Sequence, residues 1–164
     1  MDLDTTFYMK EVVSEQQTTS QGEEFIMYRF YKATIDASYG STPDTIWKSI
    51  ISTGSFVNVE SNVRYVRLKF PPSLNKQWDG NEENSGNEQT YLIESLDVPY
   101  VLNDTLSFEK TLTVSHNRKS TLIDTNIVYE VYAENIGLIE RSVKNSYILV
   151  SSYQYSQKLL NHGN

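Results

Sequence analysis

The sequence predicts an all-β protein: a single domain of about ten mainly antiparallel strands, arranged as a strongly curved sheet or incomplete barrel, with a two-layer β-sandwich as the alternative. Three observations carry this. Apolar residues recur with period two far more often than with the 3.6 of a helix. The apolar runs are rich in aromatic and β-branched residues, with 12 Tyr and 6 Phe against 7 Gly and 4 Pro, which suits a pleated, half-buried surface. From Val63 to Asn84, a strand of alternating character runs into Pro71-Pro72 and then into a polar loop holding Trp78.

The elements follow in order. Thr6 to Val13 and Glu24 to Ile35 pair as a first hairpin through QQTTSQGE. Ser41 to Asp44 breaks the chain, after which Ile46, Lys48 and Ile50 alternate with Trp47, Ser49 and Ile51. A helix over Asp44 to Ile51, capped by Thr42 or Asp44, is the competing reading of that run. Gly54 separates it from a short strand at Phe56 to Val59. In Val63 to Phe70, the Val66-Leu68-Phe70 face alternates with Tyr65-Arg67-Lys69, the one-face-buried pattern of an antiparallel sheet. Pro71 and Pro72 end it, since neither can donate to a ladder. Pro71 to Gln89 is the one long loop. Gln89 to Ser95, Phe108 to His116 and Leu122 to Tyr132 are the next strands. YAENIG then breaks the chain before Leu138 to Val143 and Tyr147 to Tyr155, which Lys144-Asn145-Ser146 joins as a closing hairpin. The β domain spans 1–157, and 158–164 is a polar tail expected to fray.

Composition excludes several roles. At 164 residues a single domain hides roughly 70% of the surface of its unfolded chain, enough for a core. A net charge of -7 and no basic cluster longer than Arg118-Lys119 argue against nucleic acid and against an anionic membrane surface. No apolar run approaches the roughly 20 residues of a spanning helix. The absence of Cys removes thiol catalysis, Cys-ligated zinc and disulfides. Met1-Asp2-Leu3-Asp4 carries acid where a signal peptide needs cationic and apolar segments; either the protein is not exported or the chain is trimmed at its start.

The residues that could carry chemistry are few. Trp78 most simply plugs its loop back onto the core; the other role is contact with a ligand or partner, together with Asp79, Asn81 and Asn84. Asp79, Asn81 and Glu83 alternate oxygen ligands like the start of a calcium loop, but Asn84 stands where Gly is needed and Thr90 where a bidentate Glu is needed. No metal and no other cofactor is expected. His116 and His162 have no nucleophile-elbow Ser beside them. Glu23-Glu24 and Glu82-Glu83 are adjacent pairs; neighbours on a strand point to opposite faces, so they read as solubilising rather than as a glycosidase pair. The chain is expected not to be an enzyme. Gly137 is placed at a turn or bulge requiring positive φ, and Tyr132 as a core or cross-strand aromatic with its hydroxyl on a backbone partner.

The series Phe70-Pro71-Pro72, then Trp78-Asp79-Gly80-Asn81 with Asn84, then Phe108 to Val114, then Tyr132 to Ile139 resembles an uncharacterised family of lipoproteins from Bacteroidetes-type bacteria. The resemblance runs from about Tyr8 to Val150, and its signature is the ordered set of segments. It implies a secreted β domain of the cell envelope, on the periplasmic or surface face of the outer membrane. There it would be held only by a lipid anchor that this chain lacks. The chain departs from the pattern at its start, without signal, lipid-bearing Cys or first aromatic strand, which implies an open sheet edge through which two copies can pair.

Two functions are consistent with these features. One is an envelope domain binding a protein or polysaccharide, with the many Tyr as amphipathic contact surface. The other is a carrier whose curved sheet encloses a hydrophobic small molecule. Whether Leu112, Val114, Val131 and Val66 fill the interior or leave it hollow separates them.

Overall fold

The computed structural model describes residues 5–120, 124–147 and 153–163. Among them the chain forms eleven strands and no helix: β1 (Tyr8–Thr19), β2 (Gly22–Lys32), β3 (Thr45–Ile51), β4 (Ser55–Glu60), β5 (Val63–Lys69), β6 (Gln77–Asp79), β7 (Thr90–Val101), β8 (Ser107–Ser120), β9 (Asp124–Ala133), β10 (Gly137–Tyr147) and β11 (Tyr153–Lys158). They make a five-stranded sheet ordered β1-β2-β3-β4-β5 and a six-stranded sheet ordered β11-β10-β9-β8-β7-β6. Each pairing is antiparallel and joins sequence neighbours, so both sheets are meanders and neither closes on itself. The all-β, antiparallel expectation holds. The chain divides into two compact units, Met1–Pro71 with Asn81–Gly86, and Pro72–Gly80 with Asn87–Asn164; each holds one sheet.

In the first unit, tight turns set the register. Glu60 pairs with Val63, and the two residues between them, Ser61 and Asn62, have φ of 50° and 65°, the left-handed pair of a type I′ hairpin. The resulting register stacks Ile50, Val57 and Val66 in one cross-strand row, and all three are buried. Burying such side chains contributes roughly 1.5–3 kcal/mol each. The run from Asp44 is a strand and not a helix: the Asp44 carboxylate accepts the Tyr31 N–H at 2.8 Å, while Thr45 to Ile51 take their ladder partners from β2. Sheet pairing outweighs the cap.

In the second unit the central row runs Ile93, Val114, Glu130, Arg141, Gln157 across β7 to β11. The next runs Tyr91, His116, Val128, Val143, Tyr155. Leu102, Val131, Ala133 and Ile139 form a buried cluster, packed by Tyr100, Leu106, Phe108, Tyr129 and Leu159. Three sequence expectations need correction here. Lys144-Asn145-Ser146 is not a turn: β10 runs on to Tyr147, and Asn145 pairs with both Asn126 and Tyr153, because an inner strand finds ladder partners on both sides whatever its side chains. The long loop contains a strand, β6, with Trp78 paired to Tyr91. The tail is anchored at its start, since Lys158 belongs to β11 and the Leu159 N–H donates to Ile139 C=O at 2.8 Å.

Candidate functional site

The first unit carries an open groove of about 570 Å³. Its apolar lining comes from Ile26, Ile46, Ile50 and Val59, and its polar lining from Glu24, Lys48 and Arg64 among others. The strand period explains the gathering: Glu24 pairs with Ile50, and Ile26 with Lys48, which pairs in turn with Val59, so these side chains share one face and Lys48 is diagonal to Glu24. The Lys48 ammonium lies 2.9 Å from Glu24 Oε1, and Gln17 Nε2 donates to that same oxygen at 2.6 Å. Those two donors, Lys48 first, hold the Glu24 carboxyl below its ordinary pKa, so it is ionised at neutral pH. Arg64 closes one end, its guanidinium paired to Glu83 at 2.7 Å.

The residues singled out from the sequence fall in several places. Trp78 is buried at 8% exposure, its ring 5.6 Å from that of Tyr91. That is the core-plug role, with little indole left for a partner. Asp79 Oδ1 accepts the Gln89 N–H at 2.8 Å, bracing the turn after β6. Asn81, Glu83 and Asn84 belong by their contacts to the first unit. Asn84 Nδ2 donates to Arg64 C=O at 2.6 Å and to Asn81 Oδ1 at 3.1 Å, and its Oδ1 accepts the Gly86 N–H at 2.7 Å. With Glu83 on Arg64 and Glu82 on Lys69, this segment is an ordered clasp on β5. Asp79, Asn81 and Glu83 thus have separate protein partners, and no group of three or more His, Cys, Asp or Glu gathers among the described residues.

Phe70 donates its N–H to Gly54 C=O at 2.8 Å and precedes Pro71 through a cis peptide. Gly137 has φ of 96° just before the β9–β10 register shift, as its placement required. Tyr132 is buried, and its hydroxyl donates to the Glu130 carboxylate at 2.6 Å. Glu130 is a group the sequence reading missed. At 1% exposure it has Tyr132, His116 Nε2 at 3.4 Å and Arg141 Nε at 3.3 Å around it. His116 stacks on Tyr91 with ring centroids 3.7 Å apart. Glu140 is the second buried carboxylate of this sheet, accepting from Tyr100 at 2.6 Å and Tyr129 at 3.2 Å. Arg141 pairs with Glu130, and Glu140 is its chain neighbour. The two glutamates therefore lie on opposite faces and cannot flank one bond as a glycosidase pair does.

Glu24, Lys48 and Arg64 were also missed as a set. Glu23 and Glu24 diverge as expected, Glu23 accepting from Gln16 and Thr18; but Glu24 is buried at 8% exposure and is no solubilising surface charge. A Glu inside an aromatic and aliphatic run was the available signal.

Compared with known proteins, the chain matches no family model, no curated protein and no solved structure.

Proposed function

We propose that this chain is a non-enzymatic β domain of the cell envelope that binds a protein or polysaccharide partner, and that the groove of the first unit is where it does so. The observation that carries this reading is the groove itself: open, of small-ligand size, and lined by both an aliphatic floor and ion-paired polar side chains. The envelope setting is supported by the lipoprotein resemblance. The carrier alternative draws less support, because Val66 and Val114 are fully buried and Val131 is 1% exposed, so three of the four positions that would line a hollow are packed, while Leu112 is half-buried. β1 has β2 as its partner and forms one border of its sheet, and Val13 on it is 59% exposed; this is the edge through which two copies would pair.

Native mass spectrometry of the protein purified from a cell extract, followed by organic extraction, tests the reading. An empty, monodisperse protein agrees with surface binding. A stoichiometric hydrophobic molecule would replace it with the carrier.

A further inference from the structure

We infer that the groove of the first unit is a site for a neutral saccharide, with the Glu24–Lys48 pair addressing adjacent hydroxyls of one sugar ring; this rests on the binding role proposed above and names its ligand.

The donor and acceptor arrangement comes first. Glu24 is more than nine-tenths buried, and both of its partners, Gln17 and Lys48, meet the same oxygen, Oε1. Oε2 has no partner among the described residues. Oε2 is not among the buried side-chain atoms left without a partner, so it is accessible from the groove and has acceptor capacity for an added donor. Beside it Lys48, with its side chain 41% exposed, has N–H donors to spare beyond the one aimed at Glu24. A fixed acceptor next to a donor complements neighbouring hydroxyls, each of which both gives and takes a hydrogen bond.

Charge balance then selects among ligands. Both groove cations are already neutralised, Lys48 by Glu24 and Arg64 by Glu83. An anionic or cationic ligand would have to break one of these pairs, whereas a neutral polyol can use them intact. Ile46, at 59% exposure, with Ile26 and Val59 offers an aliphatic surface for the C–H face of a pyranose. The Trp47 ring is less available for stacking, because the Arg29 guanidinium lies 3.2 Å from its centroid.

The test is an amide NMR titration of the full chain with cellohexaose, maltohexaose, chitohexaose and mannohexaose, with an oligogalacturonate as the anionic counterpart. At least one neutral hexasaccharide is expected to move the amides of Glu24, Ile26, Lys48 and Arg64, and the oligogalacturonate to move them less. Glu24→Gln and Lys48→Met are each expected to weaken that binding by about tenfold, with the dispersed native spectrum retained. Silence of the groove amides with all four neutral sugars, or affinity unchanged in both variants, overturns the assignment. If the sugars are silent but the wild-type chain takes a purified envelope protein through the same amides, the binding role stands and only the ligand class falls. Silence towards both removes the role as well.

Discussion

Tyr132 and Glu130, two residues apart on β9, point to the same face, and the phenol donates to the carboxylate at 2.6 Å inside the six-stranded sheet. The carboxylate sits in the middle of a row whose other side is Val114 and Ile93, both fully buried. A charge in that position is tolerated only when hydrogen-bonded and paired. Tyr132→Phe keeps the ring packing and removes one charge-assisted bond, so it is expected to cost about 1.5–3 kcal/mol in urea unfolding. A loss below roughly 0.5 kcal/mol, the scale of an inert surface change, would show that the hydroxyl contributes little.

Arg29 provides a second buried charge, this time on the first sheet. Its guanidinium carbon lies over the Trp47 ring, 3.2 Å from the centroid, and its Nε meets Glu11 at 2.5 Å. A lysine keeps the charge but cannot stack or fork. Arg29→Lys is expected to lose about 1–2 kcal/mol and to shift the Trp47 fluorescence to the red as the ring is uncovered. Unchanged emission would mean that the stack does not persist in solution.

Gly80 is small because of what faces it. A Cβ there would meet the Tyr91 ring at 2.4 Å, and Tyr91 is locked at 1% exposure against His116. Gly80→Ala is therefore expected to destabilise by about 1–3 kcal/mol, the range of core overpacking. Gly137→Ala serves as a comparison, with open space around its Cβ and only the positive φ to oppose it, at about 1 kcal/mol. Equal or reversed costs in thermal melts would contradict the packing argument.

Strand identity was legible wherever apolar and polar residues alternate, as in Val63 to Lys69, because period two marks a strand; the expected burial of one face did not follow there, since Arg67 is 4% exposed between buried Val66 and Leu68 and pairs with Glu60. It failed where the sheet buries polar groups. Asn145, 7% exposed, reads as a turn residue in sequence yet occupies an inner strand. Glu130 lies in a run correctly read as a strand, and only its burial in the central row, at 1% exposure, was missed. The groove was illegible for a different reason. Glu24 and Lys48 meet only through the β2–β3 register, and register depends on the geometry of the connection over residues 33–44 that no residue pattern fixes. The signature segment was legible as a polar loop, but its clasp on β5 was not, since Asn84 and Glu83 have partners on β5 that are about twenty positions away.

The acid limb of stability has a named contributor. Lys48, then Gln17, lowers the Glu24 pKa from the ordinary glutamate value. A depressed carboxyl pKa means that its contribution is complete above the unfolded glutamate range and is lost as pH falls through the folded value. Carboxyl-carbon NMR titration is expected to place the Glu24 midpoint below that of an unperturbed glutamate, and Lys48→Met to move it upward. An unmoved midpoint in the variant would rule out the ion pair as the main cause.

The alkaline limb depends on Tyr100. Burial raises its pKa first, and the hydrogen bond it gives to Glu140 raises it further, because removing the phenolic proton would set two anions 2.6 Å apart within a core next to Leu102 and Val131. A raised pKa means that the stabilising contribution is intact below the ordinary tyrosine range near 10 and is lost as pH climbs towards the folded value. In an ultraviolet titration, Tyr100 should ionise above the ordinary tyrosine range and together with loss of the sheet. Tyr100→Phe removes that late step and should leave Glu140 held by Tyr129 and Lys158 alone, at a cost of about 1.5–3 kcal/mol at neutral pH. If all the tyrosines ionise in one step before unfolding, the Tyr100–Glu140 bond is not what holds this proton.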